Sequence, residues 1–113
     1  MNSMLLTTNK KSGFSAEDQE LAELAKALAH PARIAILKEL AARKSCICGE
    51  IVEVLPLAQS TVSQHLKELL KAGLIRGTVE GTKSCYCINQ EAFSKFSRMM
   101  NDFLNVAIDN KCC

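Results

Sequence analysis

With 113 residues the chain has room for one domain and little more. Hydrophobic residues make up 48% of it, yet there is no Trp and one Tyr, so aliphatic helix packing must supply most of the burial, and so small a domain gains from dimerisation. A formal charge of +2 permits nucleic-acid binding without demanding it, since a bound domain needs a basic face rather than a basic total.

No run reaches the roughly 18 apolar residues of a membrane span, which excludes that class. Met1 to Ser12 contains Lys10 and Lys11 with no apolar stretch behind them. Residues 1–14 therefore read as a flexible polar arm and not as a secretory signal. The expectation is a cytoplasmic protein without membrane association. That expectation sets the meaning of six cysteines, which in a reducing compartment point to ligation or redox chemistry more than to a disulfide framework.

In chain order, Ser15-Ala16-Glu17-Asp18 predicts a helix start, with Ser15 as N-cap and acids in the first turn. Leu21, Leu24, Ala25 and Leu28 recur at helical spacing. His30-Pro31 interrupts, and Pro31 suits the first turn of a second helix. There Ile34, Ile36, Leu37 and Leu40 form the apolar stripe, with Arg33, Lys38 and Glu39 turned outward. A short third helix is predicted from about Cys46 to Val54, ended by Pro56. Gln59 to Ala72 follows as the most regular helix, with Val62, Leu66, Leu69 and Leu70 on one face and Gly73 as C-cap. The period then alternates from Leu74 to Val79 and from Lys83 to Ile88, which predicts a hairpin turning at Glu80-Gly81. A last helix runs from about Gln90 to Ile108, with Phe93, Phe96, Met100, Phe103, Leu104 and Ala107 on one side. The predicted fold is α+β and mainly helical: four helices, a β-hairpin and a C-terminal helix. These occupy residues 15–110, before a cysteine-bearing tail at 111–113.

Gln59, Ser60, Thr61, Ser63, Gln64 and His65 place short polar side chains at the start of a helix. A helix that reads the major groove needs such residues there, and its N-terminus attracts phosphate. Lys67, Arg76 and Lys83 could meet the DNA backbone, the last two from the hairpin. His65 falls at the inner edge of the helix, where a packing or hydrogen-bonding role competes with DNA contact; no carboxylate or second histidine is spaced to make it a metal ligand.

Ala27-Leu28-Ala29-His30-Pro31-Ala32-Arg33-Ile34-Ala35-Ile36-Leu37, then Cys46-Ile47-Cys48-Gly49-Glu50-Ile51, then Gln59 to Leu66 and on through Ala72-Gly73-Leu74-Ile75 closely resemble the ArsR/SmtB family of metal-sensing repressors. The match runs in register from about Ala22 to Asn89. The resemblance implies a winged helix-turn-helix protein that dimerises through its first and last helices. It would bind double-stranded operator DNA when empty and release it when loaded, and would be no enzyme. Relatives often cap the recognition helix with Ser; here Ala58 stands in that place and forfeits about 1 kcal/mol of capping.

Cys46-Ile47-Cys48 resembles the cysteine pair of the family's metal box. Thiolates select soft ions. The effector expected first is As(III) or Sb(III), with Cd(II), Pb(II) or Zn(II) as other possibilities and no permanent cofactor. Two sulfurs do not complete a site. The place where arsenite-sensing relatives can carry a third cysteine is Ile51, and the last helix lacks the family's zinc pattern. Cys112 and Cys113 of the tail are therefore the first candidates to complete it. Cys85 and Cys87 share one strand face, with Tyr86 and Ile88 pointing inward, and rank behind the tail pair. Two other readings stay open: a thiol-redox or reactive-sulfur switch on the same fold, and a DNA-binding module with incidental cysteines.

Overall fold

The computed structural model describes residues 8–9, 13–43, 46–48, 55–80 and 83–110. Helix α1 spans Ala16–Leu28. Its Ser15 cap accepts a hydrogen bond from the Asp18 N–H at 3.1 Å, with Glu17 and Asp18 in the first turn. Helix α2 spans Pro31–Arg43. In the absence of a Ser or Asp cap, His30 Nδ1 accepts from the Ala32 N–H at 3.0 Å. Ala32, Ile36, Leu37 and Leu40 are its buried residues, whereas Ile34 is exposed at the edge of an apolar groove beside Leu28, Leu37 and Phe93.

Helix α3 spans Gln59–Ala72 and ends on Gly73, whose φ of 81° is the left-handed conformation that Gly adopts without strain. The Gly73 and Leu74 N–H groups donate back to Leu70 and Leu69, so two terminal carbonyls are satisfied. Helix α4 spans Gln90–Ile108. Asn89 caps it by accepting from the Ala92 N–H, and its Nδ2 donates to the Gly73 carbonyl at 2.9 Å. One side chain thus ties the start of α4 to the end of α3.

Two short strands, β1 (Thr8–Asn9) and β2 (Phe14–Ser15), pair antiparallel, so that Thr8 and Asn9 of the segment that reads as an arm lie opposite Ser15 and Phe14 at the start of the first helix. Gly13, at φ 74°, helps the chain reverse there. The second sheet holds β3 (Ile47–Cys48), β4 (Ile75–Glu80) and β5 (Lys83–Ile88), with β5 in the middle. The register of β4 on β5 runs from Ile75↔Ile88 to Glu80↔Lys83, so the expected hairpin forms, but Glu80 is the last residue of β4 and not part of the turn.

Strand β3 corrects the helix expected from Cys46. Ile47 and Cys48 pair antiparallel with Tyr86 and Cys85. The reason is tertiary: β5 would otherwise present an open edge, and a short Cys-Ile-Cys segment with β-branched Ile47 at its centre satisfies it. The rest of the expected helix, residues 49–54, lies outside the described residues.

The core is one cluster. Ile36 of α2, Val62 and Leu69 of α3 and Leu74 beyond it are fully buried, joined by Leu24, Leu40, Leu66, Ile75 and Phe96. Tyr86 and Ile88 pack against this cluster from β5, so the hairpin is seated on the helices by its inner face.

Candidate nucleic-acid interface and thiol site

The first turns of α3 are polar because the helix period leaves Ser60, Ser63, Gln64 and Lys67 on the side away from Val62 and Leu69, while Gln59 and Thr61 stand at the open start of the helix. All six are exposed. Ala58 provides no side-chain cap, so no side chain of the cap residue competes for the amide groups at this helix end.

His65 departs from the group with which the sequence places it. It is 8% exposed and lies with Val62, Leu66 and Leu69 on the inner face, where DNA cannot reach it. The i, i+3, i+4 spacing of Val62, His65 and Leu66 carries that signal in the sequence. Its Nδ1 accepts from Arg33 Nε at 3.1 Å, and its ring lies 4.3 Å from that of His30. Arg33 is likewise not turned outward: it is half-buried, and its Nη1 also donates to the Ala27 carbonyl at 3.3 Å. Burial holds the His65 pKa below the ordinary 6.5, and the neighbouring His30 and Arg33 charges lower it further. A neutral ring with its proton on Nε2 is the form that can accept from Arg33.

Arg76 is exposed at the base of the hairpin. Its Nη2 stands 3.8 Å from Glu91 Oε2, an exposed pair that water and salt screen. Lys83 lies opposite Glu80 at the outer end of the hairpin. At Gly77 the hairpin meets α3, since a Cβ there would lie 3.1 Å from Leu70 Cδ2 and 3.3 Å from Tyr86 Cε1.

The cysteines converge on the other face of β5. Cys46 and Cys87 form a disulfide across 41 residues of sequence, with their Cα atoms 4.4 Å apart. One step further along the ladder, Cys48 lies opposite Cys85, which is itself disulfide-bonded. Cys46 is exposed, and Cys85 and Cys87 are half-buried. The structure therefore brings Cys46 to a strand cysteine that sequence reasoning ranks behind the tail. The available signal is the repeated Cys-x-Cys, which matches the period of two adjacent strands. Cys112 and Cys113 lie outside the described residues. Among the described residues no group of three or more His, Cys, Asp or Glu side chains is arranged to hold a metal ion, and sulfurs paired in disulfides are not thiolates. No helix among the described residues is long and apolar enough to cross a membrane.

A helix-turn-helix domain family matches residues 28–78. The chain is 36% identical over 88 residues to the transcriptional repressor PagR of Bacillus anthracis, an alignment covering 78% of this chain and 86% of that one. It is 45% identical over 67 residues to the arsenical resistance operon repressor of Bacillus subtilis, covering 58% and 63% of the two chains. A crystal structure of an ArsR family transcriptional regulator superposes with a TM-score of 0.70 at 21% identity, covering 83% of this chain and 96% of the other.

Proposed function

The chain belongs to the ArsR/SmtB family of winged-helix transcriptional repressors, a non-enzymatic class that binds DNA, and from that premise we propose a cytoplasmic homodimer that leaves its operator when a thiophilic metal(loid) binds. The unit that does this is the winged helix over residues 15–110. Ser63 and Gln64, with Gln59, Ser60 and Thr61, read the major groove from α3. Lys67, Arg76 and Lys83 meet phosphates, the last two from the wing formed by β4 and β5. The effector is As(III) or Sb(III), ahead of Cd(II), Pb(II) and Zn(II), and its site is built on Cys46 and Cys48.

One observation carries this reading: Cys46, beside β3, stands in contact with Cys87 of β5, a strand that also forms the wing. Once reduced, these sulfurs are soft donors of the kind such ions select. Similarity to the arsenical resistance repressor of Bacillus subtilis supports the choice of metalloid. The effector must favour the DNA-free conformation, or it shifts nothing. The test titrates operator-bound, reduced protein with arsenite, antimonite, cadmium, lead and zinc. Arsenite and antimonite should release wild type at the lowest concentrations. A Cys46→Ser/Cys48→Ser protein should bind operator and fail to release it; release at the wild-type arsenite concentration would sink the assignment.

The Cys46–Cys87 disulfide favours a second reading, in which oxidation of this pair is itself the signal. Operator affinity measured in oxidised and reduced protein without any metal separates the two, because only the redox reading requires a difference.

A further inference from the structure

We propose that Asn89 is a positioning residue for operator binding: by bonding the end of α3 and the start of α4 at once, it sets the angle between the DNA-reading helix and the dimer helix. That angle fixes how far apart the two copies of α3 stand. The inference rests on the homodimer proposed above, joined through α4, and is independent of the effector.

Three hydrogen bonds of this one residue meet at the junction. The Asn89 N–H donates to the Leu74 carbonyl at 3.0 Å, Nδ2 donates to the Gly73 carbonyl at 2.9 Å, and Oδ1 accepts from the Ala92 N–H at 3.3 Å. Gly73 and Leu74 are themselves held to the last turn of α3, their N–H groups donating to Leu70 and Leu69. A path of hydrogen bonds therefore runs from the last turn of α3, through one amide side chain, into the first turn of α4. Asn89 is half-buried and Leu74 is fully buried, so water competes poorly for these groups.

The other contacts of α4 constrain its direction less. Phe96 is buried, and Ala92, Phe93, Met99 and Met100 pack against the core, but hydrophobic contact is non-directional whereas a hydrogen bond weakens steeply as it bends. The Lys95–Glu20 pair is exposed and screened. Beyond Met100 every described residue of α4 is exposed, so the far half of the helix goes where its first turns aim it. The 19 residues of α4 span about 28 Å, and a tilt of about 10° at the start moves the far end by about 5 Å. That exceeds the rise of one base pair, about 3.4 Å. A dimer joined through α4 carries such an error directly into the separation of its two α3 helices, and paired half-sites demand a fixed separation.

The experiment uses full-length reduced protein and a fluorescein-labelled duplex that wild type selects from a random-sequence pool. The same duplex is made with one base pair added or removed between its half-sites, and as a single half-site. Asn89→Asp keeps the cap of α4, because Asp caps as well as Asn, but has no N–H to give Gly73. In anisotropy titrations it should bind the single half-site within about threefold of wild type, since the groove face of α3 is untouched. On the selected duplex its affinity should fall by more than the square of the half-site loss and by at least about tenfold, because linked binding is lost when geometry forbids simultaneous engagement. The wild-type preference for the selected spacing should largely vanish. Sedimentation should still show a dimer. Asn89→Ser, also a good cap and without the added charge, should show the same pattern and serves if the Asp variant folds poorly. The inference is overturned if a folded variant keeps the wild-type spacing preference, or if its loss on the selected duplex is no more than the square of its half-site loss; either result leaves the homodimer standing. Wild type that sediments as a monomer removes both.

Discussion

Arg33 links three elements through its guanidinium: Nε reaches His65 of α3, and Nη1 reaches the carbonyls of Ala27 and Lys26 at the end of α1. The contact to His65 exists only while that ring is neutral, since a proton on Nδ1 would face the Arg33 cation. Because the folded-state pKa lies below 6.5, the unfolded chain binds the proton more readily. The stabilisation from His65 is therefore complete above the unfolded value and is lost as pH falls through about 6.5 and on past the lower folded value. Urea midpoints at about pH 7.5 and about pH 5 test this. The advantage of wild type over His65→Gln should shrink on acidification; an advantage that grows would show that the ring is charged in the fold.

At the scale of elements, α3 divides cleanly into a face that holds the core and a face that remains for a ligand. Val62, His65, Leu66 and Leu69 are buried, and the Gly73 turn with the Asn89 clamp secures the far end. Truncating the exposed face should therefore leave folding intact and act on DNA alone. Ser63→Ala and Gln64→Ala are each expected to weaken operator binding by about 1–3 kcal/mol, the range of a base-reading contact. Arg76→Ala should weaken all sequences alike and lower the salt dependence of binding by about one counterion. Anisotropy titrations at several salt concentrations check both. Unchanged affinity for Ser63→Ala and Gln64→Ala, with circular dichroism intact, would remove α3 from the groove.

At the scale of the molecule, α4 is packed at one end only. Phe96 is buried and Lys95 pairs with Glu20 of α1, but residues 101–110 are exposed throughout. Phe103, Val106 and Ile108 are 55%, 75% and 73% exposed, and a groove of about 340 Å³ runs past Phe93, Phe96, Met100 and Leu104. A monomer gains nothing by holding such a row in water. The expected outcome in sedimentation is a homodimer at micromolar concentration. Phe103→Glu with Val106→Glu should shift it toward monomer and weaken binding to a two-half-site operator. A wild-type monomer under those conditions would contradict the proposed assembly.

The bounds of α3 and α4, the break at His30-Pro31, the Ser15 and Gly73 caps and the hairpin were all legible in the sequence. Each follows from local chemistry: helical or strand periodicity, a side chain beside its own backbone, or a glycine where φ is positive. The recognition face could be read on the same grounds, because burial on one side of α3 dictates exposure on the other. What local chemistry could not reach was any decision made by a distant segment. Cys-Ile-Cys after α2 is compatible with the first turn of a helix and with a strand, and the open edge of β5 chose the strand. The pairing of Cys46 with Cys87 spans 41 residues and depends on that register. Arg33 reads as a surface residue until α3 brings the acceptor on His65 to it. Periodicity and capping are fixed within a few residues, whereas strand edges and buried acceptors exist only after the helices have packed, so the tertiary structure alone joined Cys46 to Cys87 of the wing.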